Sequence, residues 1–527
     1  MTSAAYVVQA SFRAEVPART PWSLAIHIAP LLGDTDAAQV FPGMDESFTR
    51  ILDAHHHWET SCTEIRTDDA QMNTLIRQSL HDLRLTINQT GDGLIPVAGI
   101  PWFAVPFGRD SLITSLQTLC LNPEIARGTL RFLAKFQGQA VDAWRDEEPG
   151  KILHEIRTGE LAALREVPHT PYYASIDATP LFIYLLVEYV RWTGDWDLAS
   201  ELRPNLERAL KWIHTFGDRD ADGLLEYQSQ SPSGMRHHAW KDSFDAVQFA
   251  DGQAAEVPIA PIEVQGYAYA AEIGMAAVYE HWGETAEATQ VRRSAERRKL
   301  LFDQAYWMDS AGFYAQALDA NKVQIPAITS NPGHCLLMDI IPPARAEFVA
   351  GRLLEGDILS GWGVRTLSSA YPSFNPMSYH NGSVWPHDNS LIVAGLRHTG
   401  HDAAALAIMS QVFEAGLRFP DHRLPELYCG FTRDYRYQSS PAGYPTAYSP
   451  QAWAAASVFL MLQHLLGIEP DLPNQTIRLR PALLPWLNEL HFEGLRLGNR
   501  RLTVHVWREG LQIRSTVDGA EGLTITR

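Results

Sequence analysis

The sequence has no long apolar run, no closely spaced cysteines and few basic residues relative to its acidic ones. Its 61 Asp and Glu residues outnumber its 43 Lys and Arg residues, so the formal net charge is −18. A surface of this charge repels phosphate backbones, and nucleic acid is therefore not expected as a partner. The most apolar run, residues 179–190, is too short to span a bilayer and contains Glu188. A membrane is not expected as a partner either.

The cysteines and the first residues of the chain indicate a compartment. Cys62, Cys120, Cys335 and Cys429 lie far apart in the sequence and show no metal-ligand spacing. They are typical of reduced thiols in a reducing compartment. Residues 1–6 contain neither a basic n-region nor an apolar h-region of a secretory signal. The sequence therefore predicts a cytoplasmic protein.

Hydrophobic periodicity predicts a mainly helical chain. From about residue 66 the apolar residues, among them Met72, Leu75 and Ile76, recur with a helical period. Glycine or proline separates the helical stripes, and few strands lie between them. This pattern favours packed αα-hairpins in an all-α toroid over an α/β sheet. Further stripes are present at 110–121, 124–137, 178–193, 197–215, 263–281, 285–304, 343–354, 388–399, 402–417 and 450–465. Two long connections, 139–177 and 418–449, are typical of functional loops.

Both ends of the chain have a different period. Apolar residues alternate within 12–16 and again within 22–28, which predicts two half-buried strands. After Pro470, alternating residues and turns at 498–499 and 509–510 predict hairpins. We therefore expect three parts: an N-terminal β segment at 1–65, a catalytic helical domain at 66–468 and a C-terminal β appendage at 469–527.

Several acidic side chains stand beside aromatic residues, glycine or proline, at helix starts or in loops. Burying a charge among aromatic residues costs free energy unless the charge is paired, so such charges indicate a structural or functional role. Cleavage of a glycosidic bond requires two carboxyl groups, one to protonate the leaving oxygen and one to deprotonate water or attack the sugar. The spacing does not select a pair among the candidates Asp110, Glu155, Asp177, Asp242, Glu263, Asp388 and Glu426.

Ordinary structural roles are alternatives for the same residues. Arg109 and Asp110 at a helix start are also typical of an ion pair and an N-terminal carboxylate. Glu155 and Arg157 are compatible with an exposed loop pair, and Asp177 with a helix N-cap. Single Trp and His residues more often belong to the core than to a ligand site, which applies to Trp102, Trp240, Trp362, Trp385, His380 and His387.

Residues 218–223, DRDADG, have the opening of an EF-hand-type calcium loop. Position 12 of that loop is Ser229 instead of Glu, and no flanking EF-hand helices are evident. The segment therefore favours a tight turn over a calcium site.

Four segments in this order carry a resemblance to a known family: FGRDS (107–111), WKDS (240–243), YHNGSVWPHD (379–388) and LPEL (424–427). With them, residues 60–470 resemble the amylo-α-1,6-glucosidase region of glycogen debranching enzymes and related bacterial inverting α-glycosidases. The resemblance implies an (α/α)6 barrel, with Asp242 as the general acid and Glu426 as the general base. It also implies a substrate-binding pocket formed by Arg109, Asp110, Trp240, Lys241, His380, Trp385, Glu155, Arg157 and Glu263.

The expected activity is the release of a terminal glucosyl unit from an α-glucoside or oligosaccharide by inversion, with no cofactor and no metal ion. Nothing in the sequence resembles the glucanotransferase domain of two-activity debranching enzymes, so a small α-glucosylated metabolite is an alternative substrate. A glycoside phosphorylase and a non-catalytic glucan-binding protein are alternative functions. The linkage, the aglycone and the oligomeric state are not predicted.

Overall fold

The structure is a computed structural model that describes residues 9–24, 26 and 43–527. The chain divides into two compact units, Met1–Glu59 and Thr60–Arg527. Helices dominate the described residues. In chain order they are α1 (Met44–Ser61), α2 (Ala70–Thr86), α3 (Gly108–Gln117), α4 (Glu124–Lys135), α5 (Glu160–Ala163), α6 (Ala178–Thr193), α7 (Trp196–Glu201), α8 (Arg203–Ile213), α9 (Ile262–His281), α10 (Thr285–Tyr306), α11 (Pro332–Leu337), α12 (Pro343–Arg352), α13 (Pro386–His398), α14 (Asp402–Arg418) and α15 (Ala452–Leu466).

Local sequence signals explain where several helices begin and end. Asp69 caps α2, because its carboxylate accepts a hydrogen bond from the Met72 backbone at 2.7 Å. α6 ends at Gly194 and α15 at Gly467, both in the left-handed region. A Cβ atom at Gly467 would lie 1.9 Å from the Arg480 carbonyl oxygen. Glycine is therefore required where α15 turns into the C-terminal strands.

Six helices of the second unit contact one another in a closed series: α3 with α6, α6 with α9, α9 with α11, α11 with α13, α13 with α15, and α15 with α3. Helices α2, α4, α8, α10, α12 and α14 alternate with these six along the chain, and each packs on one or two of them. α3 and α15 are buried along their whole length, whereas α10 buries one face. The six connected helices are therefore an inner ring, and the alternating six form a layer around it.

The two ends of the ring differ in chemistry. The N-terminal ends of the inner helices carry charged residues, among them Arg109 in α3, Glu263 in α9 and Asp388 in α13. Their C-terminal ends line a cavity of about 650 Å³ that includes Tyr184 and His464. None of the seven candidate carboxyl groups from the sequence analysis lines this cavity at the C-terminal ends. The N-terminal ends are therefore where a catalytic site must be sought.

The predicted helical stripes are confirmed to within a few residues, with one division. The stripe at 197–215 forms two helices, α7 and α8, because Pro204 starts a new helix directly after Leu202. α11 was not predicted, since six residues are too few to show a periodicity. Among the described residues, no helix combines the length and the apolar character that a transmembrane span requires.

The predicted N-terminal strands are not present among residues 9–24 and 26, and Ile28 lies outside the described residues. Phe12 and Trp22 are 57% and 53% exposed. A strand needs a hydrogen-bonded neighbour and a covering layer, and alternation of apolar residues supplies neither. Residues 44–61 form a helix, α1, whose first turn carries two acidic residues that favour a helix start. The division of the chain at residues 65 and 468 stays a prediction.

The C-terminal strands form two sheets. The larger has the order β1 (Glu64–Thr67), β11 (Glu489–Leu497), β12 (Arg500–Glu509) and β13 (Gln512–Asp518), all antiparallel. Its hairpins turn where the sequence predicts, whereas the pairing of β1 was not predicted because β1 is more than 400 residues away. The remaining strands are β2 (Ile87–Thr90), β3 (Gly93–Pro96), β4 (Ala260–Pro261), β5 (Trp307–Met308), β6 (Phe313–Tyr314), β7 (Ala317–Leu318), β8 (Gln324–Ile325), β9 (Ile468–Asp471), β10 (Thr476–Leu479) and β14 (Thr524–Thr526).

Candidate active site

The first turn of α3 places Arg109 between two carboxylates. The Gly108 N–H donates to the His154 carbonyl at 2.8 Å, and a Cβ atom at Gly108 would lie 2.0 Å from the Leu153 carbonyl oxygen. This close approach fixes the start of α3. The Arg109 guanidinium donates to the Asp177 carboxylate at 3.0 and 3.3 Å and to Asp242 Oδ2 at 2.9 Å. One buried cation therefore connects two carboxylates from separate parts of the chain.

Three carboxyl groups surround this one guanidinium, because Asp110 lies near it in addition to Asp177 and Asp242. Burial raises the pKa of Asp110 to about 7, with Arg109 opposing the shift and the neighbouring carboxylates adding to it. Burial also raises the pKa of Asp242 to about 6, although Arg109 lowers it. The Asp242 side chain is 24% exposed, whereas that of Asp177 is fully buried. Asp242 is thus a carboxyl group that reaches solvent and binds its proton more tightly than an ordinary aspartate, which favours a general acid.

Glu426 lies in the long loop between α14 and α15 and is 2% exposed. Its Oε1 accepts from the Tyr379 hydroxyl at 2.6 Å, and its Oε2 accepts from the Tyr448 backbone N–H at 3.3 Å. Burial raises the pKa of Glu426 to about 8, although both hydrogen bonds favour the carboxylate. Deprotonated Glu426 is consequently a stronger base than an ordinary glutamate.

An aromatic cluster adjoins both carboxyl groups. The rings of His380 and Trp385 stack at 5.1 Å, and Trp240 stands edge-on to Trp385 at 5.8 Å. His380 Nδ1 accepts from the Ser243 N–H at 3.2 Å, directly after Asp242, and Tyr379 packs on Trp385 at 4.8 Å. All three residues predicted here, Trp240, His380 and Trp385, are at most 2% exposed. The cluster joins the Asp242 segment to the tyrosine that binds Glu426.

Lys241 is buried and directed toward the aromatic cluster. Its Nζ lies 5.0 Å from the centroid of Trp240 and donates to the Thr366 carbonyl at 2.7 Å. Burial lowers the pKa of Lys241 to about 8. Its hydrogen bond to Thr366 anchors the segment that carries Asp242.

Glu155 and Arg157 form a pair that is more buried than an ordinary loop pair. Glu155 is 4% exposed and accepts from Arg157 Nε at 2.5 Å. The Arg157 guanidinium lies 5.8 Å from the Phe103 ring, which packs on Tyr448 at 4.5 Å. Because the Tyr448 backbone donates to Glu426, this pair is connected to Glu426 through Phe103 and Tyr448.

Glu263, the remaining predicted residue, lies at the start of α9. Its Oε2 accepts from Asn331 at 2.8 Å, while Oε1 is buried with no hydrogen-bond partner among the described residues. Burial raises the pKa of Glu263. Asp388, another candidate carboxyl, accepts from His334 at 2.7 Å in the same region of the ring. The pocket-lining roles of these residues stay predictions.

The sequence analysis did not identify two residues of the site, and it left the role of a third open. Tyr448 gave no signal, because only folding of the long loop brings its backbone to Glu426. Tyr379 stands in the YHNGSVWPHD segment but was not assigned. Asp177 occupies the N-cap position of α6 without capping it, since its carboxylate binds Arg109 and the Ser175 hydroxyl. Its interaction with Arg109 makes Asp177 part of the site.

Two of the three aspartates of the DRDADG segment, Asp220 and Asp222, pair with a protein cation. Lys322 Nζ lies 2.9 Å from Asp220, 2.8 Å from Asp222 and 2.7 Å from Glu226. The ammonium of Lys322 thus occupies the space between these carboxylates and contributes one positive charge there. The local interactions favour a structural turn, as the sequence did.

A family model matches residues 109–435 and is described as the mannosylglycerate hydrolase MGH1-like glycoside hydrolase domain. This range covers more than half of the chain and contains Arg109, Asp242 and Glu426. The chain therefore carries a glycoside hydrolase domain. The chain belongs to the MGH1-like glycoside hydrolase family.

Solved structures show a matching fold. A GH78 family rhamnosidase of Bacillus sp. GL1 is 17% identical with a TM-score of 0.63 over 88% of this chain and 43% of its own. The GH63 mannosylglycerate hydrolase of Thermus thermophilus is 15% identical with a TM-score of 0.53 over 73% of this chain and 99% of its own. The chain thus spans less than half the length of the rhamnosidase. No curated protein sequence matches it.

The expected resemblance is confirmed at a coarser level. The family model supports a glycoside hydrolase domain of the MGH1-like family, without singling out amylo-α-1,6-glucosidase. The mainly helical fold expected from the sequence is confirmed as well.

Proposed function

We propose that the protein is an inverting exo-glycosidase that releases a terminal α-glucosyl unit, with Asp242 as the general acid and Glu426 as the general base. The observation that carries the proposal is the difference between the two carboxyl environments. Asp242 is held by a guanidinium and reaches solvent, whereas Glu426 is held by two neutral donors. Two carboxyl groups with distinct environments are what acid and base roles require.

The proposed reaction is a single displacement. Asp242 transfers its proton to the glycosidic oxygen as the bond from that oxygen to the anomeric carbon breaks. Glu426 takes a proton from a water molecule, whose oxygen bonds to the anomeric carbon from the opposite face. The products are a β-sugar and a free alcohol, and the two carboxyl groups then exchange protons with solvent.

We further propose that the twelve alternating helices form the (α/α)6 barrel that the resemblance implies. The closed series of contacts among the six inner helices supports this arrangement, as does the packing of each outer helix on an inner one. In such a barrel the loops at the N-terminal ends of the inner helices surround one pocket. Arg109, Glu263 and Asp388 all lie at those ends.

The proposed mechanism is tested by following the anomeric protons of the product by NMR. We expect the β-anomer to appear first and the α-anomer only later, through mutarotation. First appearance of the α-anomer would exclude inversion. Comparing turnover with and without inorganic phosphate separates the hydrolase from a phosphorylase, and saccharide binding with no product over days would support a glucan-binding protein.

A second candidate substrate has support from the comparisons. The family description and the Thermus neighbour both name mannosylglycerate hydrolysis, which favours a small α-hexoside with a polar aglycone. A panel of isomaltose, maltose, α-glucosylglycerate and α-mannosylglycerate distinguishes the candidates by kcat/KM. Preference for the mannosyl compound over its glucosyl partner would overturn the glucosyl assignment while leaving the proposed mechanism intact.

A further inference from the structure

Two histidines and a glutamate meet on the outer face of the C-terminal sheet. Glu489 and His491 are two residues apart on β11, so they project from the same face. His505 on β12 stands directly opposite His491 in the antiparallel register. The alternate residues, including Phe492 and Val504, are buried against the other face. The register of the sheet alone therefore brings the three side chains together.

The ligand atoms of these side chains have the spacing of a metal site. The His491 and His505 rings stack at 3.8 Å, and Glu489 Oε2 lies 3.4 Å from His491 Nε2. One ligand atom from each of the three residues lies within 4.8 Å of the others. Two ligands of a tetrahedral ion, each about 2.1 Å from it, are about 3.4 Å apart. The imidazole nitrogens and the carboxylate oxygen therefore lie close enough together to share one ion after the side chains rotate.

His505 provides the second observation that indicates a ligand. Its Nε2 is buried and has no hydrogen-bond partner among the described residues. A buried nitrogen without a partner costs free energy that an incoming cation would recover.

The surroundings of the cluster permit a cation. Arg66 on β1 stands opposite His491, but its guanidinium is paired with Glu64 and with Glu493, each at 3.2 Å. The Glu489 and His491 side chains are 51% and 36% exposed, so water can fill the remaining coordination positions. The nearest cationic side chain opposite His491 is thus already neutralised.

We propose that Glu489, His491 and His505 bind a divalent transition-metal ion, with Zn²⁺ as the best match. Imidazole nitrogen and carboxylate oxygen suit zinc, nickel or copper better than calcium or magnesium. The three residues lie outside the range matched by the family model, so the site is separate from the glycosidase assignment. A bound ion would join β11 to β12 across the hairpin and stabilise the sheet.

Titration of the metal-free full chain with ZnCl₂, followed by calorimetry, tests the proposal. We expect one zinc ion per chain at this site, and at least tenfold weaker binding in His491→Gln and in His505→Gln. The control is Asp220→Asn in the aspartate cluster at 218–222, the other group of described residues with metal spacing, and it should leave zinc affinity unchanged. Glu489→Gln and His491→Gln alter exposed side chains, so they keep the test valid if His505→Gln does not fold.

Two further measurements make the result decisive. Co²⁺ bound to the wild type should give a visible absorption band that is lost in His491→Gln, and zinc should raise the melting temperature of the wild type but not of that variant. Absence of zinc binding would overturn the proposal. Unchanged affinity in both histidine variants would overturn it too. The same holds if binding is lost instead on replacement of His55, His56 and His57, three consecutive histidines in α1.

Discussion

Two sets of buried carboxylates in this protein have opposite electrostatic environments. Glu272 lies on α9 and is fully buried; it accepts from Arg298 of α10 at 3.0 and 3.1 Å and from His214 at 2.8 Å. Burial acts to raise the pKa of Glu272, but the effect of Arg298 and His214 is larger and lowers the pKa to about 2. At the candidate site, burial raises the pKa of Asp242 to about 6 and that of Glu426 to about 8. Burial alone therefore does not determine the charge of a carboxyl group; its partners do.

This difference in partners distinguishes a carboxylate with a structural role, Glu272, from the carboxyl groups proposed for catalysis, Asp242 and Glu426. Glu272 has enough positive charge around it to remain ionised, which suits a carboxylate that holds two helices together. Asp242 shares one guanidinium with Asp177 and Asp110, and Glu426 has no cation as a hydrogen-bond partner in the described residues. Protons can move on and off such groups near neutral pH, which is the property that catalysis requires.

The largest expected effect is on activity. Asp242→Asn removes the proton donor, so kcat on an ordinary glycoside should fall by about 10²–10⁴-fold while substrate binding changes little. A glycosyl fluoride does not need a proton on its leaving group, so the same variant should hydrolyse it at a much larger fraction of the wild-type rate. Steady-state kinetics with both substrates checks the assignment.

Glu426→Ala provides the complementary case. It should lose hydrolysis of both substrates, and azide should restore turnover with a β-glycosyl azide as the product. Asp434→Asn is the matched control, because Asp434 lies in the same loop and pairs with Arg436 at the surface. Full activity of Asp242→Asn on the ordinary glycoside would remove Asp242 from the mechanism.

The next effect is on stability. Arg298→Met leaves the Glu272 carboxylate buried without its guanidinium, so the free energy of unfolding should fall by about 3–5 kcal/mol. Urea denaturation measures this loss, and kcat should be retained at temperatures where the variant is folded. Arg292→Met breaks an exposed pair with Glu280 and should change stability by less than about 1 kcal/mol. Equal losses in the two variants would contradict the comparison.

The pH dependence of stability follows from the same pair. The lowered pKa of Glu272 contributes stability above its ordinary value of 4.5, and this contribution is lost as pH falls toward 2. Arg298→Met should therefore have a weaker acid dependence of unfolding than the wild type.

The sequence predicted the inner and outer helices well, because each helix carries a long apolar stripe that packing preserves. It did not predict α11, which is too short, or the pairing of β1 with β11, which joins distant parts of the chain. The structure brings Arg109 to Asp242, a contact that the sequence did not predict, and the site roles that the resemblance implies stay predictions. Tyr448 could not be found, since its backbone reaches Glu426 only through the fold of the loop. The cytoplasmic location stays a prediction.

The smallest expected effect is on the pH dependence of kcat/KM, which reports how Tyr379 influences the pKa of Glu426. With pKa values of about 6 for Asp242 and about 8 for Glu426, each group is in its active form in about a tenth of molecules at pH 7. Below pH 6 the rate should rise with pH as Glu426 loses its proton. Between the two values, further loss from Glu426 is offset by loss of the proton from Asp242. Above pH 8 the rate should fall, because Glu426 is already ionised and Asp242 continues to lose its proton.

Tyr379→Phe removes a hydrogen bond that favours the Glu426 carboxylate, so the pKa of Glu426 should rise by about one unit. The alkaline limb of kcat/KM should then move upward by the same amount, the plateau should fall about tenfold, and the acid limb should stay in place. Tyr444→Phe is the control, since this ring packs on Tyr379 at 5.7 Å. Movement of the acid limb instead would mean that Glu426 has the lower pKa of the pair, because only then does its ionisation set the rise at low pH.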